Sequence, residues 1–187
     1  MEKIHPKTRS EWRRWLEQHH ATSSGVWLVS YKKASGKARL EYEEAVEEAL
    51  CFGWVDSKAG TLDDERSMLT FTPRNPKSAW SRPNKERIAR LGKEGRMAKA
   101  GLDAVATAKS NGSWKALDSV EALKVPPDLV KALAGNKKAK RYFDAFPPSS
   151  KRIILWWIES TKREETRARR ISETVRLAAE NVRANHR

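Results

Sequence analysis

The 187-residue sequence contains a single cysteine, Cys51, so it has neither an internal disulfide nor a cysteine-rich zinc site. Long apolar runs are missing as well. The longest, Ile153 to Ile158, is far short of the roughly 20 residues that cross a bilayer. The N-terminus (Met1, Glu2, Lys3, Ile4, His5, Pro6, Lys7) passes into charged helix with no apolar h-region. No secretory signal is expected on that basis, and the cytoplasm is the expected compartment. His5, His19, His20 and His186 sit near the termini, none in a metal-spaced pair. Asp63-Asp64-Glu65 lacks the alternating ligands of a calcium loop. Neither a metal nor a cofactor is expected. Gly92 to Gly95 is too short for a P-loop, and Ser78 and Ser81 lie in no nucleophile elbow. Nucleophilic and nucleotide-hydrolysing chemistries therefore have no support in the sequence.

Acidic residues are in short supply: 24 Asp and Glu stand against 38 Lys and Arg, leaving a net charge of +14. A folded chain of this mass exposes roughly 9,000 Å². The resulting charge density suits polyanions, and it suits plain solubility equally. Apolar residues at 39%, with eight tryptophans, are enough for a core, while a mean hydropathy of −0.77 indicates an extensively solvated surface.

The periodicities predict an α+β fold: a small antiparallel sheet flanked by helices, followed by an all-helical C-terminal module. Thr8 and Glu11 form a capping box for a helix to about His20. Val26 to Tyr31 is β-branched and aromatic, a strand. Tyr42, Ala45, Val46, Ala49 and Leu50 make the apolar face of a second helix, with Glu43, Glu44, Glu47 and Glu48 on its polar face and Gly53 as its stop. Strands follow at 54–58 and 67–72, then helices from near Arg82 and to about Asn111. Pro126-Pro127 is the expected boundary between an α+β domain, 1–122, and a helical module, 126–187. That module ends in a helix from about Glu164 to Val182.

One segment mixes residue types that a core does not need. Asp56, Arg74, Lys77, Ser78, Trp80, Ser81 and Asn84 crowd around the turns at Pro73, Pro76 and Pro83, just before a helix start. Free backbone N–H groups at such a start favour phosphate or carboxylate. Arg74 suits bidentate capture, Lys77 a point charge and Trp80 a flat wall, with Asp56 on a neighbouring strand to orient Arg74. The structural reading of the same residues is an Asp56–Arg74 pair that fixes the fold, caps at Ser81 and Asn84, and core tryptophans. A second cluster lies in the last helix, where Arg163, Arg167 and Arg170 at i, i+4, i+7 share a face able to track a phosphate backbone. Alternatively they form a solvated face of intrahelical ion pairs. Cys51, near a helix C-terminus, reads as a core residue.

Three segments together carry a resemblance. They are Trp12, Trp15 and Leu16 with Gly25 to Lys33; Glu48 to Ser57 with Phe71, Pro73, Arg74, Lys77, Ser78, Trp80, Ser81, Asn84 and Gly95 to Met97; and Trp157, Ile158 with Glu165 to Ile171. The sequence resembles the YdeI/OmpD-associated (OmdA) family of bacteriocin-protection proteins over nearly its whole length. The resemblance implies resistance to antimicrobial peptides through a protein partner at the envelope. It assigns no catalytic residues. Three function classes follow: a non-enzymatic resistance protein binding an anionic ligand or partner, a nucleic-acid or polyanion binder using the C-terminal helices, and an enzyme acting on a small acidic substrate near Asp56 and Arg74.

Overall fold

A computed structural model describes residues 1–185; His186 and Arg187 lie outside the described residues. The chain divides after Lys115 into two compact units.

The first unit is α+β. Its four-stranded sheet runs in the order β1 (Glu2–Ile4), β2 (Val26–Tyr31), β4 (Arg66–Pro73), β3 (Trp54–Thr61). The three strands read from sequence pair antiparallel, and β1 adds a parallel edge beside β2, making the sheet mixed. With only three residues, Glu2, Lys3 and Ile4, β1 is too short to give a periodic signal in the sequence. Opposed residues share a face of the sheet, so Val26 with Phe71 and Leu28 with Leu69 form one apolar side. All four are in or against a core completed by Trp12, Leu16, Ala49, Leu50, Trp54 and Leu91.

α1 (Arg9–His19) is capped by Thr8, whose hydroxyl accepts from the Glu11 amide at 3.2 Å. α2 (Tyr42–Cys51) opens with a Glu41/Glu44 capping box. It is the central helix, packing on α1, α3 (Arg82–Lys93), α4 (Lys99–Ser110) and β3. The chain leaves α2 through Gly53 at φ +73°, a left-handed turn that spares it a Cβ penalty.

The second unit, from Ala116, is helical: α5 (Asp118–Glu121), α6 (Pro127–Ala134), α7 (Lys137–Ala145), α8 (Pro148–Glu159) and α9 (Glu164–Ala179). Its core gathers Leu129, Leu133, Phe143, Ile154, Leu155, Ile158, Ile171 and Ala178. Val120 joins that core, and the short α5 packs against α8. α9 stops at Ala179, before the expected Val182, because Asn181 turns left-handed at φ 59° and the Val182 amide reaches back to Leu177.

Candidate functional site

Arg74 sits one residue beyond β4, where its amide donates to the Gly53 carbonyl at 2.9 Å. From there its guanidinium lies over the Trp80 ring, 4.0 Å from the centroid, with Nη2 donating to the Ala79 carbonyl. Nε is buried, and among the described residues no acceptor reaches it and no carboxylate forms an ion pair with this side chain. Burial lowers the Arg74 pKa from its ordinary value, while the Asp56 charge acts in the opposite sense. Trp80 is itself buried and leans on Trp114, centroids 5.1 Å apart. The ammonium groups of Lys85 and Lys109 lie 5.5 and 5.4 Å from the Trp114 ring. This is a cationic, aromatic corner. Arg74, Asn75, Pro76, Trp80, Ala104 and Thr107 enclose a cavity of about 60 Å³ there. At about 30 Å³ per water in the liquid, that is room for two waters or one carboxylate group.

The other residues of this segment spread out. Asp56 accepts from the Tyr42 hydroxyl at 3.0 Å, so Arg74 is not its hydrogen-bond partner. The Lys77 amide bonds Asn75 Oδ1 at 2.9 Å and the Ser78 amide the Asn75 carbonyl at 2.9 Å, closing an exposed turn. Ser81 is the N-cap residue of α3 without a side-chain cap bond. Asn84 accepts from Arg87 Nη1 at 2.8 Å. The structure thus joins Arg74 and Trp80 in one cavity and leaves Asp56, Lys77, Ser78, Ser81 and Asn84 outside its lining.

In the second unit, Arg163 caps α9 with its side chain exposed, whereas Arg167 grips Asp128 with a two-pronged pair at 2.6 and 3.0 Å. That hydrogen bond holds the Asp128 carboxyl below and the Arg167 guanidinium above their ordinary values. Arg170 turns inward over Trp157, 5.1 Å from the ring, and donates to the Trp157 carbonyl. Arg163 and Arg167 line an open groove of about 1,000 Å³ whose floor includes Ala132, Ala168, Ile171 and Val175; Arg170 is not part of it.

The polar face read on α2 is only half solvated. Glu48 is fully buried and Glu47 nearly so. Glu48 receives Arg9 Nε at 2.6 Å, Arg13 Nη1 at 2.8 Å and Arg96; Glu47 receives Arg9 Nη2 at 2.7 Å and Arg90. Buried carboxylates are tolerated when such partners surround them. The available signal was the i, i+4 spacing of Arg9 and Arg13, which puts two guanidinium groups on one face of α1. Cys51, a turn away, is buried, and desolvation followed by the Glu48 charge pushes its thiol up to about 11. Among the described residues, no three His, Cys, Asp or Glu converge as metal ligands, and no helix is long and apolar enough to cross a membrane.

Residues 4–104 match the model of a domain of unknown function (DUF8412). Residues 122–181 match the OmdA model, described as bacteriocin-protection, YdeI or OmpD-associated. No curated protein and no solved structure matches the chain. The first match spans more than half of the sequence and the second nearly all of the helical unit from α6 onward, so the chain belongs to the DUF8412 family and carries a YdeI/OmdA module at its C-terminal end.

Proposed function

We propose that this YdeI/OmdA-like protein is a non-enzymatic, cytoplasmic resistance protein that works by capturing an anionic group at the Arg74–Trp80 corner. The observation behind this reading is the state of Arg74. Its guanidinium is partly withdrawn from water, pinned flat on an indole, left with a buried donor lacking an acceptor, and uncompensated by any ion pair among the described residues. A half-buried, unpaired cation is unfavourable alone and favourable beside an anion. A volume of about 60 Å³ takes a single carboxylate or phosphate group and excludes a whole nucleotide, so the anion belongs to the tip of a larger ligand or protein partner.

The enzyme reading loses support from the same geometry, because Asp56 is engaged by Tyr42 and does not face Arg74 with a hydrogen bond. The polyanion reading keeps a narrower basis, since of its three arginines only Arg163 makes no side-chain hydrogen bond or ion pair among the described residues.

Thermal unfolding of wild type and Arg74→Ala with phosphate, acetate, a short carboxylate-terminated peptide and heparin tests the proposal. A ligand at 100 times its Kd stabilises by about 2.7 kcal/mol, or about 5–10 °C for a chain of this size. The expected result is a shift with a small anion that Arg74→Ala abolishes and Arg74→Lys partly keeps. Equal shifts in wild type and Arg74→Ala would remove Arg74 from the site.

A further inference from the structure

We infer a second binding site in the first unit, a pocket at the open end of the sheet that takes a compact, uncharged ring compound bearing a hydroxyl or N–H donor. The helices cover the inner face of the sheet over Val26, Leu28 and Phe71, where the core is continuous. Farther along the same face the register sets Ser30 opposite Ser67 and Ala59 opposite Leu69, and the cover stops. The segment Arg39 to Tyr42 and Ala45 of α2 form the opposite wall. Between them lies a pocket of about 240 Å³.

Size comes first. A dry cavity of ~150 Å³ holds benzene, and drug-sized ligand sites span about 300–1,000 Å³. This pocket falls between, which by simple scaling admits a ring compound of roughly ten non-hydrogen atoms. The backbone around it departs from a regular strand in the way binding-site strands do. β3 carries a bulge between Asp56 and Ala59, held by a hydrogen bond from Thr70 Oγ1 to the Lys58 carbonyl at 3.0 Å.

The lining gives the chemistry. Leu28, Leu40, Ala45, Ala59 and Leu69 make the walls apolar. The one cation of the rim, Arg39, is already held by Glu41 through two bonds of 3.0 and 2.7 Å, so the pocket makes no demand for an anion. Ser30 spends its proton on the Leu40 carbonyl and Tyr42 spends its own on Asp56. What remains at the rim is acceptor capacity on the Tyr42 and Ser30 oxygens and the Ser67 hydroxyl, which accepts or donates, so all three can receive a hydrogen bond from a ligand that donates. The site is independent of the Arg74 corner, with which it shares no lining residue.

Phenol is the probe, with benzene as the ring lacking a donor and benzoate as the charged ring. Binding is followed on the full chain by amide chemical shifts. Phenol is expected to move the resonances of residues 39–45 and 67–69 and to bind more tightly than benzene or benzoate. Ser67→Leu, which fills the pocket, should weaken phenol at least about tenfold. Tyr42→Phe should weaken it about fivefold, the worth of one hydrogen bond, and leave benzene unchanged. Arg74→Ala should leave phenol binding intact, which separates this site from the anion corner. Absence of shifts, shifts mapping elsewhere, benzoate outcompeting phenol, or insensitivity to both Ser67→Leu and Tyr42→Phe in folded protein would each overturn the inference.

Discussion

At the scale of single residues, the chain's stability and its candidate chemistry rest on how a few charges are compensated. Glu48 is completely buried under Arg9, Arg13 and Arg96, whereas the three guanidinium groups keep part of their surface in water. Removing one partner of a fully buried pair costs about 3–5 kcal/mol; here the orphaned arginines can rehydrate, so Glu48→Ala should cost about 2–3 kcal/mol. Glu86→Ala, which breaks only an exposed i, i+4 pair with Arg82, should stay within about 0.5 kcal/mol. Urea unfolding of both variants measures the contrast, and equal losses would mean that the Glu48 cluster is no more than a surface network. Cys51 illustrates the opposite sign of the same electrostatics. With its thiol pushed up to about 11, the protonated form is favoured by folding, so this contribution to stability is intact below pH 9 and fades as pH rises toward 11. At pH 8 a thiol reagent should therefore leave the native protein unmodified and react at once after denaturation. Fast labelling of native protein would show Cys51 to be an accessible thiolate.

At the scale of elements, α2 and α4 approach closely. Gly101 of α4 lies so near the end of α2 that a Cβ there would stand 2.3 Å from the Cys51 carbonyl oxygen. No side-chain rotation relieves a clash with backbone. Gly101→Ala should force α4 off α2 and cost about 1–3 kcal/mol despite the better helix propensity of alanine, whereas Gly92→Ala, with open space around it, should be neutral or stabilising. A melting temperature raised by Gly101→Ala would contradict the close approach. Which elements exist was largely legible in the sequence, because caps and punctuation agreed with periodicity: Thr8 starts α1, Gly53 ends α2, and the Pro73 and Pro83 positions bracket the turn before α3. What stayed hidden depends on contacts between elements distant in sequence. The burial of Glu47 and Glu48 needs arginines from α1, α3 and the turn after it, some up to 48 residues away, and a helical wheel of α2 alone shows four equivalent glutamates. The geometry of the candidate site was legible in the same partial way. Arg74 and Trp80 do meet, but Asp56 is drawn to Tyr42 across 14 residues, a pairing that strand register alone does not reveal.

At the scale of the whole molecule, charge is divided evenly but not with equal density. The 72 residues from Ala116 onward carry 16 Lys and Arg against nine Asp and Glu, and the preceding 115 carry 22 against 15, so each part has a net charge of +7. Density alone would send a polyanion to the helical unit, whose groove is rimmed by Lys162, Arg163, Arg167 and Arg176. Internal bonding reduces what that surface offers. Arg167 is committed to Asp128, Arg170 to the Trp157 carbonyl, and Arg176 shares an exposed pair with Glu180. Heparin or duplex DNA binding to the intact chain should then release few counterions, with a log–log salt slope of about −3, corresponding to three or so phosphate contacts. Arg163→Ala combined with Lys162→Ala should weaken that binding further and flatten the slope, while Arg170→Ala should lower thermal stability and leave the slope unchanged. A slope near −6, or one reduced by Arg170→Ala, would mean that the arginines leave their internal partners for the polymer, and polyanion capture would then replace anion capture at the Arg74 corner as the proposed function.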